Sequence, residues 1–452
     1  MKMSLPGKAG YGVASVGLSA IELMLQVYLL DLYILAGLSP ASAGLAIALA
    51  VIWDAVSDPL MGAVMDNTAA KTLAGKRVPF MVAGSVLICF SFALLFSPPV
   101  GDSEEALFNY LLLSYLMVNT ATTLFGVPYL SLINDLAGSE RERASLFSWK
   151  IVFGSVGLLV GIGIPAYLAM GGPLDSVSST LAARESSGLF LGALAALGCL
   201  ATALRAFKGL KAQFAQTASS GDRLGLVGIC KVFRYGMKAP FFVYLVIGFI
   251  AIAVSRSLNS SLAIPYYKST LGYGEREIGW VLLLLTVMII LAAPAWVWVS
   301  GFKRKQFLFV SAALTLAGIS AVVYPAIPSG VIYPALIVSV VGGGLVASIV
   351  LLDSLFSDFV ELEKRAHGMD VSGLYYGVWR MLSKIARAIG IGFSGFFLAW
   401  IGYESGTTDQ EESVERSIAW AFGPGVSVFL IIGSILIKRS EKYEEFRAAQ
   451  SQ

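Results

Sequence analysis

Two carboxylates in the sequence, Asp54 and Asp58, lie four residues apart inside an apolar run, with Ser57 between them. On a helix the i, i+4 spacing puts both acids on one face, and Ser57 falls beside them. Two like charges so close repel, so one must be protonated or a cation must sit between them. Clustered hard oxygens suit a small hard cation such as sodium, and protonation of the same site would couple protons instead. Other charges also fall inside apolar runs: Glu22, Lys150, Arg256 and the stripe Arg380, Lys384 and Arg387. Each costs at least ~2.5–3.5 kcal/mol near a bilayer centre and so requires a partner or a function. Glu22, Asp54 and Arg256 lie mid-run, out of easy reach of a headgroup, whereas Lys150 and Arg380 are near run ends and can snorkel. Lys384 is the deepest member of its stripe and is expected to balance Asp54 or Asp58 when no cation is bound. Arg387 could pair with Glu22 or line a cavity. Arg256, with Asn259 and Ser260, could receive an acidic group such as a uronate, sulfonate or phosphate, or it could form an internal ion pair with Glu22.

The elements that must position these groups follow from composition. Of 452 residues, 57% are hydrophobic and 13% charged, and the mean hydropathy is +0.77. Soluble domains carry roughly twice that charged share. A net charge of +3 does not point to nucleic acid. Cys89, Cys199 and Cys230 are scattered and His367 is the single histidine, which leaves no disulfide framework, zinc site or Cys/His nucleophilic pair. No enzyme and no cofactor are expected.

Apolar runs long enough to cross about 30 Å of hydrocarbon are found near 10–36, 41–65, 79–97, 106–134, 145–170, 187–206, 240–267, 278–300, 306–326, 331–357, 372–401 and 414–437. In lipid these must be helices, so the chain reads as an all-α membrane protein with twelve spans. The first run is read as a retained helix and not a cleaved signal. Lys and Arg concentrate in the loops after the even-numbered spans, which places both termini in the cytoplasm. The expected organisation is a six-helix bundle over 1–206, a cytoplasmic central loop over 207–239, a second bundle over 240–438 and a cytoplasmic tail over 439–452. The later part of the central loop has the pattern of an amphipathic surface helix. Lys76-Arg77-Val78-Pro79-Phe80 is echoed 227 residues later by Lys303-Arg304-Lys305-Gln306-Phe307, a parallel repeat of the kind found in major-facilitator transporters. Val281 and Leu285 occupy the places that correspond to Asp54 and Asp58, so only the first bundle carries the acidic pair.

Trp53-Asp54-Ala55-Val56-Ser57-Asp58-Pro59-Leu60-Met61-Gly62 resembles the second-helix signature of the glycoside–pentoside–hexuronide:cation symporters, a branch of the major facilitator superfamily. The resemblance continues in order through Gly37-Leu38-Ser39, Gly75-Lys76-Arg77, Val127-Pro128-Tyr129, Glu140-Arg141-Glu142-Arg143 with Lys150, Asp358-x-x-Glu361, and Ser383-Lys384 with Gly402-Tyr403. It implies a sodium- or proton-coupled symporter working by alternating access. On the matching positions Asp54, Ser57, Asp58 and Thr123 would form the cation site, with Lys384 facing it. Arg141, Arg143, Asp358 and Glu361 would form a cytoplasmic salt-bridge gate. Substrate positions would be Glu22, Gly126, Tyr129, Lys150, Arg256, Asn259 and Arg387.

The sugar-binding part departs from the family pattern. Gly126 stands where sugar-transporting members carry an aspartate, Leu18-Ser19 replaces an acid in the first helix, Leu130 replaces a tryptophan, and Lys150 an arginine. The expected cargo is a sugar-like or glycoside solute, with an acidic variant favoured by Arg256. The alternative is a lysophospholipid or other amphiphile, because vertebrate lysophospholipid symporters share the fold, the second-helix acids and a Val-Pro-Tyr stretch. The expected partners are that solute and membrane lipid, with the chain acting as a monomer. Short loops, and outer loops without an N-x-S/T pattern, suggest a bacterial inner membrane.

Overall fold

The computed structural model describes residues 5–68, 73–137, 139–169, 177–210, 240–367, 372–404 and 410–450. It is all-helical over these residues, and twelve of its helices are long and apolar enough to span a membrane. Contacts divide the chain into two compact units, 1–223 and 224–452. Most of the expected central loop, including its amphipathic stretch, lies outside the described residues.

In the first unit the helices are α1 (Leu5–Val27), α2 (Leu29–Leu35), α3 (Pro40–Asn67), α4 (Leu73–Leu95), α5 (Glu104–Leu136), α6 (Glu140–Ala169) and α7 (Val177–Leu210). Local chemistry sets their ends. Gly37 turns at φ 107°, a left-handed conformation that glycine adopts without a Cβ clash. Ser39 then caps α3 by accepting from the Ser42 N–H, and Pro40 takes the first helical position. Ser103 caps α5 in the same way, with Glu104 and Glu105 in its first turn.

The second unit contains α8 (Pro240–Pro265), α9 (Glu275–Val299), α10 (Lys305–Val323), α11 (Ile332–Val346), α12 (Ile349–His367), α13 (Ser372–Trp400), α14 (Glu412–Trp420) and α15 (Val426–Gln450). Two spans predicted as continuous are interrupted here, and a third ends in a π-turn. A π-turn at Tyr266–Thr270 ends the span of α8, another at Ala421–Gly425 holds Pro424 between α14 and α15, and the span over 331–357 breaks between α11 and α12. The last helix continues to Gln450, so the segment expected as a tail from 439 is helical.

The repeat suggested by the basic loops reappears in packing. In the first unit α1 packs on α6 and α7, α3 on α5, and α4 on α7. Their counterparts six spans later pair the same way: α8 with α13 and α15, α9 with α11, α10 with α15. Close backbone approach makes the first of these contacts. A Cβ added at Gly157 of α6 would collide with the Val16 carbonyl, and one at Gly17 with the backbone of Ala195, as expected where small residues let membrane helices meet. The second unit uses aromatic filling instead. Phe242, Phe249, Phe356, Phe359, Tyr375 and Trp379 form its buried centre. Large apolar side chains such as Trp298, Phe307, Phe396 and Trp400 stay exposed, which in a membrane protein is the surface for lipid.

Candidate functional site

The predicted cation-site residues of the first unit converge where α3 meets α5. Asn119 donates from Nδ2 to the Ala50 carbonyl at 2.7 Å, and Trp53 Nε1 donates to Thr120 Oγ1 at 3.2 Å. One turn further along both helices, Thr123 Oγ1 donates to Asp58 Oδ1 at 2.9 Å and lies 3.4 Å from Asp54 Oδ1. Ser57 Oγ sits 3.2 Å from Thr123 Oγ1 and 3.3 Å from the Asp54 carbonyl. Asp54, Ser57 and Thr123 are buried, and Asp58 is half-buried. The cluster gathers two carboxylates and two hydroxyls, hard oxygens of the kind a small cation takes in an all-oxygen site. Gly126 lies one turn beyond Thr123 on α5, and a Cβ built there meets nothing within 4 Å. The missing family aspartate therefore leaves open space beside the carboxylates.

Tyr129 is committed inside the unit. Its ring stacks on Tyr11 at 4.6 Å, its hydroxyl donates to the Tyr11 carbonyl at 3.0 Å, and Ser15 Oγ lies 2.8 Å from that hydroxyl. It is 1% exposed. Lys150 Nζ lies 5.8 Å from the centroid of the same ring, a cation–π distance. Glu22 is exposed on α1 and accepts from Gln26 Nε2 at 3.3 Å. Arg143 is exposed on α6, and the Arg141 side chain lies outside the described residues.

In the second unit Arg256 is exposed, and Asn259, Lys384 and Arg387 are half-buried. The Arg387 carbonyl accepts from Ser257 Oγ at 2.9 Å, joining α13 to α8. Asp358, expected in a gate with Arg141 and Arg143, forms an ion pair with Lys305 of its own unit at 2.5 Å. Glu361 is exposed.

Three charges escaped the sequence reading. Asp31 and Arg184 form an ion pair at 2.6 Å with both side chains 2% exposed. Arg184 also reaches the Tyr28 carbonyl at 3.4 Å and lies over the Tyr28 ring. The sixth span was expected to start at 187, whereas its helix begins at Val177, and Arg184 in that added stretch is neutralised by Asp31. Asp353 of α12 is the third; it accepts from Trp379 Nε1 at 3.2 Å. Counting every acid and base inside the apolar runs would have flagged Asp31 and Asp353.

A profile of the family described as MFS/sugar transport protein matches residues 5–441. The chain belongs to that family. As an MFS-family chain it shares its fold with a solved structure titled for substrate recognition in proton-dependent oligopeptide transporters, at TM-score 0.65 and 14% identity, covering 98% of this chain and 100% of that one. The zebrafish (Danio rerio) sodium-dependent lysophosphatidylcholine symporter 1-A is 26% identical over 88% of this chain and 78% of its own length. The mouse (Mus musculus) sphingosine-1-phosphate transporter MFSD2B is 25% identical over 96% and 89%. The Bacillus subtilis symporter YnaJ, itself uncharacterised, is 26% identical over 89% and 84%. Membership in the MFS family thus holds, and the relatives do not show the narrower glycoside–pentoside–hexuronide assignment specifically. Two of these relatives are named for lysophosphatidylcholine and sphingosine-1-phosphate, and none of the three is named for a sugar.

Proposed function

We propose that this MFS-family protein is a sodium-coupled symporter of a lysophospholipid-like amphiphile, working by alternating access with both termini in the cytoplasm. The observation that carries the coupling half is the convergence of Asp54, Ser57, Asp58 and Thr123, two carboxylates and two hydroxyls gathered where α3 meets α5. Support for the cargo comes from relatives of similar length that transport a lysophosphatidylcholine or sphingosine-1-phosphate. The sequence adds the loss of acidic sugar ligands at Gly126 and Leu18-Ser19.

In this mechanism sodium joins Asp54 and Asp58 and relieves their repulsion. Lys384 of the second unit competes for the same carboxylates when the ion leaves, so ion and lysine form a two-state element. Lys150 and Arg256 supply positive charge for a phosphate. Arg141, Arg143, Asp358 and Glu361 serve as the cytoplasmic gate. Basic residues clustered at the loops after even-numbered spans support the orientation, and the short loops support a bacterial inner membrane.

A thermal-shift panel of neutral glycosides, uronates and lysolipids on purified protein tests the cargo. Lysolipids are expected to stabilise in a sodium-dependent way and glycosides to do nothing; stabilisation by a glycoside alone would reverse the reading. Gly126 refines it. Because the space at its Cβ is open, Gly126→Phe is expected to fold and keep its sodium response. The ring would fill the space beside the cation site and weaken lysolipid binding at least ~10-fold, in line with the 1–3 kcal/mol cost of overfilling a site. Unchanged lysolipid affinity in that variant would move the substrate away from α5.

A further inference from the structure

Three of the four groups gathered where α3 meets α5 belong to α3 itself. Asp54, Ser57 and Asp58 are therefore spaced by the helix they share. Thr123 is the exception. Its reach to Asp58 Oδ1 at 2.9 Å and to Asp54 Oδ1 at 3.4 Å depends on how α5 lies on α3. Asn119 stands four residues before Thr123, on the same face of α5. Its Nδ2 donates to the Ala50 carbonyl at 2.7 Å, and Ala50 stands four residues before Asp54. The bond thus lies one helical turn from the site on both helices. A carbonyl only accepts, so the amide has a single orientation there. Asn119 is 4% exposed and Ala50 is fully enclosed. Ser42 Oγ to Glu104 Oε1 at 2.8 Å and Trp53 Nε1 to Thr120 Oγ1 at 3.2 Å also tie the two helices. Those ties run between side chains at exposed positions, which can swing; a buried backbone carbonyl cannot.

We infer that Asn119 is a positioning residue for sodium: it fixes the register of α5 on α3 and so holds the Thr123 hydroxyl at the carboxylates. The inference deepens the coupling half of the function proposed above and rests on it. Ion–oxygen contacts tolerate displacements of only about 0.2 Å. A slide of α5 by the rise of one residue is about 1.5 Å, and it would displace Thr123 while Asp54, Ser57 and Asp58 kept their spacing. Loss of the amide should therefore weaken the ion without unfolding the helices. The Ala50 carbonyl keeps the partner that α3 gives it at the Asp54 N–H. Replacing Asn119 with leucine, which is close to it in shape, thus leaves no orphaned acceptor behind.

The test is a double-mutant cycle on full-length protein in detergent, with sodium chloride titrated calorimetrically at constant ionic strength. Asn119→Leu should bind sodium at least ~10-fold more weakly than wild type, the scale of losing a residue that orients a ligand. In sodium-free buffer it should melt within a few degrees of wild type. Thr123→Ala removes the group that Asn119 holds. Adding Asn119→Leu to Thr123→Ala should then cost no further sodium affinity, because the amide acts only through that hydroxyl. Should Asn119→Leu fail to fold, Asn119→Ser, too short to reach the Ala50 carbonyl, takes its place in the cycle. Unchanged sodium affinity in the single variant, with or without a lower melting temperature, overturns the assignment. So does an equal loss in both backgrounds, which would have Asn119 act on the ion without Thr123. A wild type that does not bind sodium removes the coupling reading itself, which separates the two failures.

Discussion

Replacing Asp58 with cysteine is expected to abolish the thermal stabilisation that sodium gives the purified protein. Asp58 supplies one of the two formal charges at the α3–α5 junction and accepts the 2.9 Å hydrogen bond from Thr123. Without it, Asp54 and two hydroxyls remain, a set with half the negative charge. For wild type, an ion present at about one hundred times its Kd stabilises by about 2.7 kcal/mol, a clear shift in a melting curve. The variant should show no sodium-specific shift relative to an equal concentration of potassium. A second expectation separates an ion site from a structural one. Two carboxylates on adjacent turns repel, and Lys384 still has Asp54 to pair with once Asp58 is gone, so in sodium-free buffer Asp58→Cys should stay folded with a stability close to that of wild type. A sodium response that survives in the variant would place the ion elsewhere. A variant that unfolds in sodium-free buffer would make Asp58 a structural acid.

The largest loss of stability is expected from Arg184→Met. The Asp31–Arg184 pair is 2.6 Å long and almost wholly buried on both sides, and it ties the end of the first span to α7 where α1 gives way to α2 at Tyr28. Removing the arginine leaves a buried carboxylate without its countercharge, which costs about 3–5 kcal/mol. Arg184 also gives up its reach to the Tyr28 carbonyl and its place over the Tyr28 ring. Because desolvation offsets much of the attraction in a buried pair, Asp31→Leu combined with Arg184→Met should regain most of the loss. Thermal unfolding of the two single variants and the double variant checks this. A single variant with wild-type stability, or a double variant as poor as the sum of the singles, would mean the pair is not coupled.

Where each feature came from explains what could be read in the chain itself. The twelve spans were legible because lipid forces every long apolar run into a helix, and Asp54, Ser57 and Asp58 stood out because charges are rare there. Thr123 could be named only by resemblance, since nothing in one sequence says which hydroxyl on α5 faces α3. The breaks at Tyr28, Ala347 and Pro424 were not legible, because hydropathy is blind to which backbone hydrogen bond is given up. The earlier start of α7 was not legible either: the countercharge that lets Arg184 lie inside it is on another helix, 153 positions earlier at Asp31. Cargo was the weakest part of the sequence reading. The residues that carry the resemblance are the proposed ion-coupling ones, whereas the departures from the sugar-transporting pattern are single substitutions such as Gly126.

Uptake of labelled lysophosphatidylcholine into proteoliposomes, with an inward sodium gradient, an inward proton gradient or neither, bears most directly on the idea that ion capture at Asp54 and Asp58 drives movement of an amphiphile. Accumulation above equilibrium only under the sodium gradient, and lost in Asp54→Asn and Asp58→Cys, is the predicted result. Uptake that is indifferent to sodium, or that persists when both carboxylates are gone, would contradict it.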